Sequence, residues 1–427
     1  MMNLKICMSV VIVIMYGFEL LKMYLVWQQR KKPLPEIVCH IYDTKKYEDF
    51  IQYKKAYCPI VIFTQTISTI LLLIFIQTEF FSFFDNPNPY ISMFSLVFVL
   101  TCIETIVKIP IQYYATFHID AKYGLNHKNK KEFFKDELLE VCNCFIECLI
   151  YCFIIYVGTH LEVWTHHFSM TYMQSFLLCL GLLGVFFCLF LLVSFLSLGL
   201  MRLQYTFTEL EDGTLRQKIE RYVQESKKKI HHIKVYDESK KSNSKNAFLL
   251  KILGYREFGI ADNFLEENKE DELLAVLLHE IGHLKHKKNI YNFISYIFFG
   301  LCFCGIVWLL TNAHYVLACN QWIKDSFHLV YTNYYVFLFV ISTLISPIVL
   351  LVQIYHNFVS CKEEKEADYN AIDHGYGQGL IDTFSKISSD ELIDVNPHPF
   401  VSFIEDDHPS MCQRITYIRK RMDEISS

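Results

Sequence analysis

Long apolar windows recur along the chain and are separated by polar stretches. Each window holds about twenty mostly apolar residues, the length that an α-helix needs to cross the hydrocarbon core of a bilayer. The windows run from Ile6 to Trp27, Cys58 to Gln77, Ile91 to Ile111, Leu138 to Val157, Phe176 to Leu200, Ile290 to Leu310 and Tyr335 to Ile354. The pattern predicts a mainly α-helical, multi-pass membrane protein with seven transmembrane helices.

Lysines and arginines are concentrated in alternate loops between these windows. The loop after the first window contains Arg30, Lys31 and Lys32, and the loop after the third also contains several lysines, whereas the loops after the second and fourth contain neither residue type. Loops rich in lysine and arginine usually remain in the cytosol. We therefore expect an N-terminus that is outside or lumenal and a C-terminus in the cytosol, which requires an odd number of spans.

Composition supports membrane insertion and excludes some other classes. The 427 residues are 52% hydrophobic and 16% aromatic, which is more apolar than is usual for a soluble enzyme of this size. The net charge of −5 gives no reason to expect nucleic acid as a partner. Most cysteines fall within the predicted spans and no C-x-x-C pair occurs, so a cysteine zinc site is not predicted. Lysine patches such as Lys227 to Lys229 are typical of a solvated surface, and the alternative beside a membrane is contact with anionic lipid.

The segment LHEIGHLKHKK, from Leu278 to Lys288, has the order of a zinc-protease helix. Residues four apart lie on the same helix face, so His279 and His283 can hold one Zn²⁺ while Glu280 faces a water on that metal. Gly282 is interpreted as leaving room for the metal and the substrate backbone. The alternative is a buried helix whose histidines only form internal hydrogen bonds.

A catalytic zinc needs a third protein ligand, and the stretch after the last span contains several carboxylates. Glu363, Glu364 and Glu366 all lie in a run that is compatible with a helix. Spacing alone does not choose among them. The alternative for such a run is a solvated, charged helix face.

HEIGH, followed after two spans by Glu364-Lys365-Glu366-Ala367-Asp368, resembles the type I CAAX prenyl endopeptidases, a family of integral-membrane zinc proteases. The resemblance covers nearly the whole chain. It implies seven helices that enclose a chamber, with a cytosol-facing zinc protease domain of the gluzincin type that contains a small β-sheet. It selects Glu364 as the third ligand of one Zn²⁺ per chain, and it implies that Asp368 orients a ligating histidine.

Two further motifs are similar to those of the family. Asn246, Ala247 and Phe248 match an Asn-Ala-aromatic stretch, which implies an edge strand that binds an extended substrate peptide through its backbone. His408, which precedes a proline, would stabilise the oxyanion, and Arg414 would hold the substrate or the active-site carboxylates. The chain departs from the family pattern at Cys361, because the family commonly has arginine after the serine that precedes the ligand.

The expected organisation follows the spans and the motifs. Residues 1–200 would form the first five transmembrane helices, 201–289 the first part of the protease domain, 290–354 helices six and seven, and 355–427 the second part of the protease domain. Zn²⁺ on His279, His283 and Glu364 would activate water, and Glu280 would act as the general base.

The leading hypothesis is a zinc endopeptidase that removes the C-terminal tripeptide of prenylated CAAX proteins. The membrane would be the endoplasmic reticulum in a eukaryote or the plasma membrane in a bacterium, with the catalytic site on the cytosolic side. One alternative is a quality-control protease that cuts misfolded or stalled membrane proteins. Another is a non-catalytic membrane transporter or scaffold.

Overall fold

The structure is a computed structural model, and most of the chain is described in it. The described residues are 3–146, 149, 181, 202–226, 229–242, 245–252, 255–285, 313–331 and 333–427. The predicted spans 176–200 and 290–310 lie almost wholly outside these residues, as does the second half of the predicted span 138–157.

Four of the described helices are long and apolar enough to cross a membrane. They contain the first, second, third and seventh predicted windows: α1 (Leu4–Gln29), α2 (Thr44–Gln77), α3 (Pro89–Tyr114) and α9 (Tyr334–Asp373). A short 3₁₀ helix, Phe80–Phe84, follows α2, and a π-helical segment, Ala115–Asp120, continues α3. The helix over 130–146 is named α4. Little of the apolar surface of the four long helices is buried, as expected for helices that face lipid.

A small four-stranded sheet follows the predicted fifth span. Its strands are β1 (Phe207–Glu209), β2 (His232–Tyr236), β3 (Ala247–Ile252) and β4 (Tyr255–Ala261), in the spatial order β1-β2-β4-β3. The β2–β4 pair is parallel and the other two pairs are antiparallel. Phe248 of β3 pairs with Gly259 of β4, and a side chain at position 259 would collide with the Phe248 ring. The small sheet that the family resemblance implied is therefore present.

Short helices pack around the sheet and the C-terminal part of α9, and one of them lies at the N-terminal end of α9. They are α5 (Thr214–Glu225), α6 (Asp262–Glu267), α7 (Glu270–Lys285), α8 (Ala313–Phe327), α10 (Gly377–Asp390), α11 (Pro399–Glu405) and α12 (Met411–Ser426). A 3₁₀ turn, Glu238–Lys240, follows β2.

Helix α7 is buried on two sides, because it lies between two hydrophobic cores. Leu274, Leu277 and Ile281 pack into the core that contains the sheet and α5. Ala275 and Leu278 pack into the core formed with α9, α10 and α12. A helix that is apolar nearly all round is stable only in such an interior position. The histidines of α7 are therefore carried by a helix that is enclosed on two sides.

Helix α9 runs without interruption for 40 residues, from the last membrane window into the core that it shares with α7, α10 and α12. The side chain of Asn333 accepts a hydrogen bond from the backbone N–H of Val336 and so caps its first turn. Its last turn ends before Gly375, whose positive φ of 88° suits a helix C-terminus. The single helix therefore connects the bilayer to the carboxylates near its C-terminal end.

The close approach of α7 and α9 depends on a glycine. A Cβ atom added to Gly282 would lie 2.7 Å from the Ala367 Cα and 2.9 Å from the Ala367 carbonyl oxygen. The sequence interpretation, that Gly282 leaves room for the metal and the substrate, was therefore wrong. The backbone of α9 occupies that space. A Cβ atom added to Gly379 of α10 would likewise lie 2.8 Å from the Asp271 carbonyl oxygen of α7.

We predict that Gly282→Ala lowers stability, because the added methyl group pushes two backbones apart. The expected loss in the free energy of unfolding is about 1–3 kcal/mol, as for other overpacked sites. Thermal unfolding of the detergent-solubilised protein measures it. Gly17→Ala is the matched control, since Gly17 is also helical but has no neighbouring atom within 4 Å of an added Cβ. Equal unfolding temperatures for the two variants would contradict the prediction.

Candidate metal centre

The two histidines of α7 point their Nε2 atoms toward the same position. These atoms are 3.2 Å apart, as expected for side chains one helical turn apart on one face. His279 is buried, whereas the His283 side chain is 21% exposed. Glu280 lies between them in the sequence and is partly exposed.

A carboxylate of α9 completes the cluster. Glu364 Oε2 lies 3.4 Å from His279 Nε2, and Oε1 lies 3.1 Å from His283 Nε2. Among the described residues, these three side chains form the one group of His, Cys, Asp and Glu whose ligand atoms are close enough to hold a metal ion. The helix turns Glu363 and Glu366 away from this position, so the tertiary structure distinguishes among three carboxylates that spacing left open.

The geometry of this group fits zinc. Two atoms bound tetrahedrally to one zinc at about 2.0–2.1 Å lie about 3.3 Å apart, close to the three separations of 3.1–3.4 Å. Oε2 of Glu364 is also buried and accepts no hydrogen bond of normal geometry from the described residues. A buried carboxylate oxygen needs a partner, and a cation at the centre of the cluster provides one.

Asp368, one turn after Glu364, connects the histidine to the C-terminal helix. Its Oδ1 lies 2.7 Å from His279 Nδ1, which leaves Nε2 of that ring for the cluster. Arg414 of α12 donates two hydrogen bonds to the carboxylate, from Nε at 2.9 Å and from Nη2 at 2.6 Å. The hydroxyl of Tyr417 donates a further hydrogen bond to Oδ2.

The electrostatics of the cluster are dominated by burial and by these carboxylates. Burial of the His279 ring lowers its pKa, but Asp368 and Glu364 outweigh this effect and raise the pKa of His279 to about 9. Burial likewise opposes ionisation of Arg414, yet Asp368 holds its pKa above the ordinary value. The site therefore favours positive charge at the position of the two histidines, which suits a divalent cation.

His408 lies at the rim of the cluster. Its Nε2 is 3.5 Å from Glu364 Oε1, its Nδ1 is 2.7 Å from Asp407 Oδ1, and 55% of the side chain is exposed. The thiol of Cys361 lies 3.5 Å from the carbonyl oxygen of Asp406. In place of the arginine that the family commonly has, this cysteine packs α9 against the segment that carries His408.

The Asn-Ala-aromatic stretch lies at the outer edge of the sheet. β3 pairs with β4 on one side, and no other described strand pairs with its opposite edge. Asn246 is exposed just before the strand, while Ala247 and Phe248 are partly buried against the core that includes Ile281 of α7.

Sequence reasoning missed two residues of this site. Tyr417 contacts Asp368, and Phe384 of α10 lies with its ring centroid 3.9 Å from the Arg414 guanidinium carbon. Tyr417 follows Arg414 by three residues and therefore shares its helix face. That spacing could have indicated that Tyr417 lies near the same carboxylate as Arg414. Nothing in the local sequence links Phe384 to the site.

Comparison with known proteins agrees with this geometry. The sequence model of peptidase family M48 matches residues 209–422, which is half of the chain and includes the entire cluster. The chain belongs to peptidase family M48. A second model, described as the CAAX prenyl protease N-terminal, five membrane helices, matches residues 23–196. The resemblance to the CAAX protease family is thus confirmed.

Individual relatives cover most of the chain at low identity. The probable CAAX prenyl protease 1 of Schizosaccharomyces pombe is 27% identical over 91% of this chain and 82% of the relative. CAAX prenyl protease 1 of Saccharomyces cerevisiae is 23% identical over 96% and 94%. The uncharacterized metalloprotease YhfN of Bacillus subtilis is 23% identical over 78% and 75%. The crystal structure of S. mikatae Ste24p has the same fold, with a TM-score of 0.80, 22% identity and coverage of 98% of this chain and 99% of that chain.

These observations establish the class of the protein. It is an integral membrane zinc metalloprotease, and the transporter or scaffold hypothesis loses its support.

We predict that Glu364→Gln abolishes stoichiometric zinc binding, because it removes the charge of one of three ligands. Metal content after extensive dialysis measures this. Glu363→Gln and Glu366→Gln are matched controls from the same helical run, and both are expected to retain zinc. Loss of zinc in either control, or retention in Glu364→Gln, would show that the wrong carboxylate has been chosen.

We also predict that Tyr417→Phe weakens zinc binding by about tenfold, because Asp368 loses a hydrogen bond that helps to orient His279. Competition with a chelator of known affinity measures the change. Tyr369→Phe is the control, since the ring centroid of Tyr369 lies 6.0 Å from that of Tyr417, and this substitution leaves the hydrogen bonds of Asp368 to His279, Arg414 and Tyr417 in place. Unchanged affinity in Tyr417→Phe would remove the tyrosine from the set of positioning residues.

Proposed function

We propose that this protein removes the C-terminal tripeptide from prenylated CAAX proteins. The observation that carries the proposal is the match of residues 23–196 to the membrane portion of the CAAX prenyl proteases. The protease half alone is compatible with many substrates, whereas this membrane half is described for CAAX enzymes. Relatives named CAAX prenyl protease that cover more than nine-tenths of the chain support the same conclusion.

The position of the cluster supports a substrate that is attached to the membrane. Glu364 follows Ile354, the end of the last apolar window, by ten residues on the same continuous helix. Ten helical residues span about 15 Å. A peptide whose C-terminus carries an isoprenoid in the bilayer would reach the cluster with only a short extended segment.

The chemistry follows from the arrangement. His279, His283 and Glu364 would hold one Zn²⁺, which when bound lowers the pKa of a coordinated water and polarises the scissile carbonyl. Glu280 then accepts the proton of the attacking water and delivers it to the leaving amine. Asp368 keeps the Nδ1 side of His279 occupied, so that Nε2 faces the metal position.

Arg414 and His408 have different roles in this proposal. Arg414 is 5% exposed and forms a bidentate ion pair with Asp368. This burial supports a role in holding the Asp368 carboxylate in place and argues against direct contact with substrate. His408 is exposed at the rim, where a substrate carbonyl would approach, and this supports stabilisation of the oxyanion.

The substrate peptide would bind along β3. Its outer edge offers backbone groups to an extended peptide, beginning at Asn246, Ala247 and Phe248. A substrate peptide that binds as an added strand is recognised through its backbone hydrogen bonds and only weakly through its side chains. This binding mode suits a protease that accepts varied tripeptides.

The site would face the cytosol. The distribution of lysine and arginine supports this orientation. The endoplasmic reticulum is then the expected membrane in a eukaryote and the plasma membrane in a bacterium.

We predict that Glu280→Gln reduces kcat by about 10²–10⁴-fold while leaving zinc content unchanged, because it removes the general base but no ligand. The measurement is release of the tripeptide from a farnesylated CAAX peptide by the purified protein. Glu366→Gln, in the same protease domain but outside the cluster, is the control for charge and is expected to retain activity. Full activity of Glu280→Gln would contradict the assigned role.

Substrate class is tested in the same assay with three substrates. These are the farnesylated peptide, its unprenylated twin and a misfolded membrane protein. Glu280-dependent cleavage of the farnesylated peptide above its twin would establish the proposal. Cleavage of the misfolded protein alone would assign the enzyme to membrane quality control instead.

A further inference from the structure

Helix α11 presents opposite faces to the protein and to its surroundings. Val401, Ser402 and Ile404 are buried, whereas Phe400 and Phe403, three residues apart on the other face, are 46% and 56% exposed. Two exposed phenylalanines on one short helix leave a sizeable apolar surface without a protein partner among the described residues. Such a surface usually indicates contact with another molecule or with lipid.

The protein side of α11 packs against two membrane helices where they leave the bilayer. On α9, the Asn357 side chain donates a hydrogen bond to the Ile404 carbonyl at 2.7 Å. Asn357 lies only three residues beyond Ile354, the end of the last apolar window. The backbone of α11 is therefore held at the end of that membrane span.

On α1, the contact is an ion pair within the apolar window. Glu405, the last residue of α11, pairs with Lys22, which also pairs with Glu19 at 2.8 Å. Lys22 precedes Trp27, at the end of the window, by five residues, or about 7 Å along the helix. Tryptophan is enriched at the membrane–water interface, so Trp27 marks that interface on α1. The ion pair between Glu405 and Lys22 therefore lies on the bilayer side of Trp27.

The exposed apolar surface of α9 continues to the same place. Ile348, Leu351 and Phe358 are 58%, 65% and 53% exposed and recur at helical spacing on one face. The first two lie within the apolar window, and Phe358 lies beside Asn357, which holds α11. The exposed apolar surface of the span thus extends beyond the end of the window, toward the helix that carries Phe400 and Phe403.

We propose that α11 is an interfacial helix whose Phe400 and Phe403 side chains insert into the acyl-chain region of the bilayer on the catalytic side. The occupant of the exposed face is lipid, because both helices that hold α11 are membrane spans and the exposed apolar surface of α9 continues toward it. The arrangement is that of an amphipathic segment lying in the plane of the interface.

This placement has a consequence for the metal centre. His408 follows Glu405 by three residues, and its Nε2 reaches to within 3.5 Å of Glu364. Glu364 is tied to the bilayer through α9, and His408 is tied to it through α11. Insertion of α11 would therefore hold His408 at a constant height above the membrane.

Photocrosslinking of the full chain in phosphatidylcholine nanodiscs tests the proposal. p-Benzoylphenylalanine replaces Phe400 or Phe403, one at a time, and adducts are identified by peptide mass. Ile348, on the exposed face of α9, is the lipid-contact control. Asp212, whose side chain is 97% exposed in the loop before α5, is the water-exposed control. A single symmetrical elution peak for each variant establishes that it is folded.

We expect a mass gain of one phospholipid at positions 400, 403 and 348, and none at 212. Lipid adducts at 348 without any at 400 or 403 would overturn the proposal, since the same sample reports lipid contact elsewhere. Crosslinks from 400 or 403 to a second copy of the chain, in place of lipid, would also overturn it and would identify the face as a contact between copies.

Discussion

The buried carboxylate of Asp368 is the constraint on which the metal centre depends. A carboxylate that is fully removed from water is stable as an anion only if its oxygens are hydrogen-bonded and its charge is compensated. Here the partners come from two other helices: His279 from α7, and Arg414 and Tyr417 from α12. The charge can be satisfied only when α7, α9 and α12 are packed together. Assembly of these helices also orients the histidine, so the packing that satisfies Asp368 is the packing that brings the metal-binding side chains together.

The backbone contact between α7 and α9 provides the second half of this arrangement. Gly282 allows α7 to approach the Ala367 backbone, which places Glu364 opposite both histidines at 3.1–3.4 Å. A side chain at this position would push the two backbones apart and so increase the distances from Glu364 to the histidines. The spacing of two backbones thus determines whether three side chains can share one ion.

Continuity of α9 connects this chemistry to the bilayer. The membrane span and Glu364 lie on one continuous helix with no loop between them, so the distance of Glu364 from the bilayer is fixed. Helix α11 is held at the same end of the membrane span, by a hydrogen bond from Asn357 of α9 and an ion pair with Lys22 of α1. A protease built in this way would act at a defined distance from the membrane surface, as the proposed lipid-anchored substrate requires.

The amino-acid sequence by itself determined the membrane character, the HEIGH helix and, through its resemblance to a family, the enzyme class. Apolar windows and residues one turn apart are local features, so hydrophobicity and helix geometry suffice to interpret them. Spacing could not choose Glu364 among its neighbours, the sequence interpretation gave Gly282 the wrong role, and it missed Tyr417 and Phe384. Each of these depends on which surfaces of distant segments meet. Tertiary packing decided the contacts of Gly282 and Phe384, and it supports the choice of Glu364 that the family resemblance had made. The reason is that the free energy of burying Asp368 and of closing α7 on α9 belongs to contacts between residues about 45 to 90 positions apart in the chain.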